Sequence, residues 1–249
     1  MIYSDLHAHT TYCDGKNSPE EMVLSAIQKG LKEIGLCVHS YTFFDNSYCV
    51  SEDGVKAFQK EMAELKIKYA DKIKVLCGVE QDVYSTFPTS GFDYVIGSVH
   101  YFKVGELYFD VDKSKDYLVK VVNECFDGDF YSAVENYFSA VKKVADINAD
   151  IVGHFDLINK FNQDDCLFST TEKRYVDAYT DAIERLTEKQ GRVFELNVGA
   201  ISRGYRKEPY PSLEMIKLIK ERGGKLILSS DSHRKENLAV GFSEWEKLL

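Results

Sequence analysis

The sequence lacks any segment that would cross a membrane, because no run of about 18 residues is uniformly apolar. The chain opens directly on a strand-like segment, Met1 to Leu6. It has no charged segment followed by an apolar one, which would mark a secretory signal. We therefore expect a soluble protein that is not exported.

The cysteines form no recognisable motif. Six are present, and no two have the CxxC spacing of a zinc knuckle or a redox site. Cys13 and Cys37 are close in sequence to candidate metal ligands, but we interpret most of the cysteines as small core residues. Reduced thiols of this kind favour a cytoplasmic protein.

A basic face is also missing. The formal net charge is −9, with 31 Lys and Arg against 40 Asp and Glu, and the Lys and Arg residues form no stripe. Binding to a phosphate backbone independently of sequence needs such a face, so no nucleic-acid partner is expected. The expected partner is a small molecule, and the expected state is a monomer or weak homodimer.

Strand-like and helix-like segments alternate along the whole chain. No repeat, linker or low-complexity segment interrupts them, so one domain over residues 1–249 is expected. The predicted strands are Ile2–Leu6, Ile34–Val38, Lys74–Val79, Tyr94–Val99, Ile151–Gly153, Arg192–Asn197 and Lys225–Ser229. Seven such strands, in a chain close to the ~250 residues of a β/α barrel, favour a parallel barrel over an open sheet.

The helices between these strands are predicted from apolar spacing and capping residues. Ser18-Pro19-Glu20-Glu21 supplies an N-cap serine, an N1 proline and an N3 glutamate, and Gly30 ends that helix. The predicted helices are Pro19–Lys29, Val55–Tyr69, Lys115–Phe126, Phe130–Ile147, Thr171–Lys189 and Ser212–Arg222. A hairpin centred on Gly105 is predicted between Tyr101 and Val111.

All six histidines fall at or just past the end of a predicted strand. They are His7, His9, His39, His100, His154 and His233. The third strand ends in Gly78-Val79-Glu80, and the seventh continues into Asp231-Ser232-His233. Because the active site of a β/α barrel lies at the C-terminal ends of its strands, these side chains are expected to meet on one rim.

The spacing of these residues indicates metal binding. Residues i and i+2 of an extended segment point the same way, so His7 and His9 can hold one ion together, as can Asp231 and His233. Imidazole and carboxylate ligands suit Zn, Fe or Mn and do not distinguish between them. The sequence therefore predicts a metalloenzyme.

Together, the strand-end motifs resemble the polymerase and histidinol phosphatase (PHP) superfamily. Within it the chain most resembles monofunctional histidinol-phosphate phosphatases, over essentially its whole length and in the same order. The motifs are Asp5-Leu6-His7-Ala8-His9-Thr10, Cys37-Val38-His39, Gly78-Val79-Glu80, Gly97-Ser98-Val99-His100, Gly153-His154-Phe155-Asp156 and Ser230-Asp231-Ser232-His233.

The resemblance implies an α/β fold, a distorted seven-stranded (β/α)7 TIM-like barrel of the PHP type, holding three divalent ions. The expected ligands are His7, His9, Glu80 and Asp231 for one ion, Glu80, His100 and His154 for a second, and His39, His233 and Asp14 for the third. Asp14 is also compatible with a simple turn at Cys13-Asp14-Gly15.

The resemblance further implies hydrolysis of a phosphate monoester, L-histidinol phosphate in histidine biosynthesis, by in-line attack of a metal-bridging hydroxide. Catalytic roles are expected for Glu80, Asp231 and His233. Three divalent ions against three carboxylates leave the cluster at about +3, which would attract a phosphate ester into an acidic protein.

Basic and acidic residues on the same rim have further expected roles. Arg203 and Lys160 fall where relatives place phosphate-binding cations. Asp5 and Asp156 are expected to orient His7 and His154 rather than to bind metal.

The loop from Tyr41 to Asp53 is a candidate for recognising the imidazole and amine of the substrate. Two other functions stay open for the chain. One is a PHP phosphoesterase with another substrate, such as a nucleotide, an oligonucleotide end or phosphotyrosine. The other is a noncatalytic metal-binding module.

Overall fold

Seven parallel strands form a nearly closed barrel, which confirms the predicted architecture. The computed structural model describes residues 4–249, so residues 2 and 3 of the first predicted strand lie outside it. The strands are β1 (Ser4–Asp5), β2 (Glu33–His39), β3 (Lys74–Asp82), β4 (Tyr94–Ser98), β5 (Tyr101–Val104), β6 (Leu107–Asp110), β7 (Ile151–Val152), β8 (Val193–Asn197) and β9 (Lys225–Ser229). The barrel order is β1-β2-β3-β4-β7-β8-β9, and β5 and β6 form the predicted hairpin around Gly105.

The first and last barrel segments meet just beyond the ends of β1 and β9. The His9 N–H donates to the Ser232 carbonyl at 2.8 Å, and the Ser232 N–H donates to the His7 carbonyl at 3.2 Å. Ala8 and Ser232 thus form a parallel bridge. Because this bridge lies at the C-terminal rim, it brings the His7-Ala8-His9 and Asp231-Ser232-His233 motifs side by side.

All six predicted helices are present, with ends shifted by a few residues. The helices are α1 (Pro19–Gln28), α2 (Glu52–Lys68), α3 (Lys115–Cys125), α4 (Phe130–Lys142), α5 (Lys173–Thr187), α6 (Gly199–Ser202), α7 (Leu213–Glu221) and α8 (Phe242–Trp245). The capping box of α1 forms as predicted between Ser18 and Glu21. Helix α2 begins earlier than predicted because the Ser51 side chain accepts the Gly54 N–H at 3.1 Å.

Two strands extend further than the apolar pattern indicated. β2 continues through His39 and β3 through Asp82, because the polar residues at their ends keep their ladder partners: His39 pairs with Glu80, and Asp82 pairs with Ser98. Two predicted ligands, His39 and Glu80, are therefore held within rigid strands rather than in loops.

Inside the barrel, the Tyr94 ring packs closely against two glycines. A Cβ atom on Gly35 or on Gly78 would collide with the Tyr94 ring, so only glycine fits at either position. The Tyr94 hydroxyl donates to the Leu6 carbonyl at 2.6 Å, which ties β4 to the segment leading to His7. Among the described residues, no helix is both long and apolar enough to span a bilayer.

Candidate metal centre

The nine predicted ligands converge on one rim of the barrel, with Glu80 at the centre. The His154 and His100 Nε2 atoms lie 2.8 Å and 3.2 Å from Glu80 Oε1. The second oxygen, Oε2, is 3.2 Å from His7 Nε2, 3.3 Å from His9 Nε2 and 3.0 Å from His39 Nδ1. One carboxylate, on β3, thus contacts five imidazoles, which come from β2 and from the segments that follow β1, β4 and β7.

The donor atoms fit divalent cations. Glu80 Oε2 and Asp14 Oδ1 are buried and accept no hydrogen bond from any described residue, although imidazole nitrogens surround both. His7 Nε2 and His9 Nε2 lie 3.0 Å apart, closer than two protonated rings would tolerate. Buried acceptors without donors, beside crowded imidazole nitrogens, are the arrangement that a metal cluster satisfies.

Asp14 stands in a tight turn and also faces two histidines, so the turn is compatible with the predicted ligand role. The Gly15 N–H donates to the Thr10 carbonyl at 3.0 Å, and a Cβ on Gly15 would clash with the His9 backbone. From this turn Asp14 Oδ2 reaches His233 Nε2 at 3.0 Å, and Oδ1 reaches His39 Nε2 at 3.5 Å. His9 completes this group of possible ligands.

Asp231 is held in an unusual conformation at the same rim. Its φ of 47° lies in the left-handed region, which costs a non-glycine residue free energy and is typical of functional sites. Its Oδ1 lies 3.7 Å from His7 Nε2 and 3.6 Å from His9 Nε2. Arg203 donates to Asp231 Oδ2 at 2.9 Å and to the Asp231 carbonyl at 3.0 Å, which fixes both side chains.

Neighbouring charges shift the pKa values of several groups in the cluster. Burial alone would raise the pKa of Glu80, but His7, His100 and His39 hold it well below its usual range. Burial, with His39 and His233 nearby, lowers the pKa of His9 to about 3. Burial also opposes protonation of His39, yet Glu80 and Asp14 raise its pKa to about 9. Divalent cations bound at this rim would compete with protons for the imidazole nitrogens.

Glu195 is a buried group of the site that the sequence pattern missed. Its Oε1 lies 2.7 Å from His7 Nδ1, and its Oε2 accepts the His154 N–H at 2.9 Å. It also accepts from Asn197 Nδ2 at 3.1 Å. Its neighbours Phe194 and Leu196 are apolar, and a glutamate in such a buried strand is rarely without a partner. This pattern in the sequence could have identified Glu195 as part of the site. Glu195 therefore fixes the ring of one predicted ligand and the backbone of another.

Asp82 has the same role for His100. Its Oδ2 lies 3.2 Å from His100 Nδ1 and accepts the His100 N–H at 2.9 Å. Because Asp82 follows Glu80 at the i+2 position of β3, both side chains lie on the same face of the strand. That spacing is a signal in the sequence which our prediction did not use.

The predicted role of Asp156 is wrong, whereas Asp5 does contact His7, but only through the backbone. Asp5 accepts backbone N–H groups of His7 at 3.5 Å and of Ser230 at 3.1 Å, so it joins the first and last strands and does not contact the His7 ring. Asp156 accepts from Asn159 Nδ2 at 2.9 Å, and the His154 Nδ1 atom has no hydrogen-bond partner among the described residues. The carboxylate that contacts Nδ1 of the His7 ring belongs to Glu195 on β8, a long-range contact that local spacing could not show.

A cavity of about 300 Å³ opens beside the cluster. Arg203 and Lys160, the two predicted phosphate-binding residues, both line it, as do the ligand candidates Glu80, Asp231 and His233. Lys160 follows a turn of 3-10 helix, Leu157–Asn159, and donates to Asp112 Oδ2 at 2.8 Å. The structure thus places two cations and the possible metal ligands around one space.

Comparison with known proteins gives the family. The PHP domain family matches residues 5–199 of this chain. The chain belongs to the PHP domain family. The histidinol-phosphatase of Lactococcus lactis is 27% identical to this PHP protein over 253 residues, spanning 92% of this chain and 83% of the relative.

Solved structures of PHP proteins share the fold. A Listeria monocytogenes protein assigned as a histidinol phosphatase superposes with a TM-score of 0.82 at 20% identity, covering 97% of this chain and 99% of that chain. A Lactococcus lactis histidinol phosphate phosphatase, solved with zinc, L-histidinol and phosphate, gives a TM-score of 0.72 at 22% identity and covers 99% and 92%. The barrel of this PHP protein is therefore the one seen in these phosphatases.

Only part of the predicted recognition loop reaches the cavity. Tyr48 lines it, and its hydroxyl lies 2.7 Å from the Tyr101 hydroxyl. Phe43, in contrast, is 69% exposed and faces solvent, and Phe44 stacks on Tyr108 of the hairpin. The wall of the cavity is therefore built jointly by this loop and by the β5–β6 hairpin.

Replacing Glu195 with glutamine is expected to weaken metal binding about 10- to 100-fold, because the amide is a poorer hydrogen-bond acceptor for His7. Competition with a chromophoric chelator measures this affinity. Glu106→Gln is the matched control, since Glu106 is 95% exposed at the hairpin tip. Equal metal affinity in the Glu195 variant and the control would exclude an orienting role for Glu195.

Proposed function

We propose that this chain is a metal-dependent phosphomonoesterase that hydrolyses L-histidinol phosphate to L-histidinol and phosphate in histidine biosynthesis. The observation that carries the proposal is the rim itself: six histidines and three carboxylates converge beside a cavity that also contains Arg203 and Lys160. The full-length likeness to a named histidinol-phosphatase supports the choice of substrate.

The proposed cofactors are three divalent ions, of Zn, Fe or Mn. Their proposed ligands are His7, His9, Glu80 and Asp231 for the first, Glu80, His100 and His154 for the second, and Asp14, His39 and His233 for the third. When bound, such ions neutralise phosphate charge and lower the pKa of a coordinated water. Glu80 contacts ligand candidates of all three groups, so it is suited to reduce repulsion between the cations.

The chain's own residues hold and orient the phosphate ester. Arg203 is fixed by Asp231 beside the cluster, and Lys160 lines the same cavity, so we assign both to the nonbridging phosphate oxygens. We assign catalytic roles to Glu80, Asp231 and His233, which line the same space. These contacts hold the phosphorus beside the cluster.

The rest of the proposal concerns the whole protein. We infer that residues 1–249 form one PHP metal-dependent phosphatase domain, working in the cytoplasm as a monomer or weak homodimer. A small-molecule ester is the expected partner, without nucleic acid or membrane. The cavity wall suits that ester, because Tyr48, Tyr101 and two aspartates can face an imidazole and an ammonium group.

Phosphate release from L-histidinol phosphate, beside nucleotides, sugar phosphates and phosphotyrosine, tests the proposal. Protein of known metal content should give a kcat/KM of at least about 10⁴ M⁻¹s⁻¹ for L-histidinol phosphate and far lower values for the others. Weak and even turnover across the panel would refute this substrate. No turnover by fully metallated protein would refute the phosphatase.

A further inference from the structure

The cavity wall contains an ion pair, between Lys160 and Asp112, that lies outside the metal cluster. Lys160 Nζ donates to Asp112 Oδ2 at 2.8 Å and to the Asp112 carbonyl at 3.0 Å. The lysine side chain is 12% exposed and the aspartate side chain 30% exposed, and both line the cavity. Lys160 Nζ also lies 5.1 Å from the centre of the Tyr205 ring. The lysine that we assign to the phosphate is thus already paired with a carboxylate.

The proposed substrate has the complementary pair of charges. In L-histidinol phosphate the ammonium is on the carbon next to the one that carries the phosphate ester. A phosphate held by Lys160 therefore places the ammonium close to whatever adjoins Lys160, and in this cavity that group is Asp112. Lys160 with the phosphate and Asp112 with the ammonium would form two adjacent ion pairs, so that all four groups have a counter-charge. A substrate that carries only the phosphate or only the ammonium leaves one protein group unpaired.

We propose that Asp112 determines substrate specificity by binding the ammonium of the amino-alcohol phosphate while Lys160 turns to the phosphate. This inference rests on the proposed phosphatase function and deepens it. A phosphate ester without an amine draws Lys160 away from Asp112 and leaves that partly buried carboxylate without a counter-charge. Esters of this kind are therefore disfavoured, although their phosphate meets the same metals and the same Arg203.

Asp112 suits this role better than the other aspartate of the wall. Asp110 lies at the end of β6 and faces Lys113 at 3.9 Å, outside the lysine pair. Of these two aspartates, Asp112 is the one whose carboxylate pairs with the phosphate-binding lysine, and it also lines the cavity. Burial would raise the pKa of Asp112, but Lys160, His100 and His154 lower it, so the carboxylate is charged and available to a cation.

The test compares two substrates in the metallated full-length protein. One is L-histidinol phosphate, and the other is the phosphate ester of imidazolyl-propanol, which lacks only the amine. Asp112→Asn is expected to lower kcat/KM for L-histidinol phosphate about 10- to 100-fold and to leave kcat/KM for the amine-free ester unchanged or raised. Equal loss on both substrates, or no loss on L-histidinol phosphate, would overturn the inference.

Further measurements keep a folding or metal defect separate from a specificity change. Asp112→Glu retains the charge and should recover most of the preference for the amine, with metal content at the level of the unaltered protein in both variants. Asp164→Asn is the matched control, because Asp164 pairs with Lys207 at 3.0 Å on the exposed surface. If the unaltered protein turns over neither ester, the proposed function fails; if it hydrolyses both equally well, only the role of Asp112 fails.

Discussion

Replacing Glu80 with glutamine is expected to remove bound metal and phosphatase activity together, with kcat falling at least about 1,000-fold. Glu80 lies within 3.3 Å of nitrogen atoms on five imidazoles, so its charge is the one that all three proposed ligand groups share. An amide keeps the shape of the side chain but loses the negative charge and one oxygen ligand. Elemental analysis after dialysis and a phosphate-release assay measure the two effects on the same sample.

Glu33→Gln is the control for the Glu80 variant. Glu33 begins β2, at the opposite end of the barrel, and pairs with Lys74 at 2.6 Å. The N-terminal end of a β/α barrel serves stability rather than catalysis, so this variant should keep its metal and its activity. A Glu80→Gln protein with full metal content and normal kcat would show that Glu80 does not hold the cluster together.

Replacing Arg203 with alanine is expected to lower kcat/KM for L-histidinol phosphate about 100- to 1,000-fold, mainly by raising KM, with metal content unchanged. Asp231 fixes the guanidinium beside the cluster, and the planar fork of that group suits phosphate oxygens. Arg203→Lys should recover only part of the loss, because it keeps the charge and loses the fork. Steady-state kinetics with metal analysis separate these effects.

Arg222→Ala controls for the loss of a charged side chain, because Arg222 pairs with Glu184 far from the rim, at the end of α7. Unaltered KM and kcat in the Arg203 variant would refute its assignment to the phosphate. If metal content fell in parallel with activity, we would instead conclude that Arg203 acts by holding Asp231 in place.

The sequence predicted the fold well because the barrel depends on local signals. Apolar runs mark the strands, and the Ser18 capping box and Gly30 mark the limits of α1, which the structure confirms. The strand ends were less predictable. β3 continues through Glu80 to Asp82 because pairing with β4 persists, and no apolar pattern reports such pairing.

The site was predictable where its residues follow strands directly and unpredictable where they act across the barrel. The histidines and Glu80 could be identified from their places at strand ends, and in the structure they lie together on one rim of the barrel. The contacts of Glu195 with His7 and of Asp112 with Lys160 join residues far apart in sequence. Such contacts depend on barrel closure and on the hairpin, so only the folded structure displays them.

We propose that the rim is a trinuclear centre that hydrolyses L-histidinol phosphate. The most direct test is an activity titration, in which metal-free protein receives divalent ions while bound metal and phosphate release are both measured. We expect no turnover without metal, a rise in activity as the sites fill, and a plateau at three ions per chain. Full activity in metal-free protein, or a plateau with a single ion bound, would contradict it.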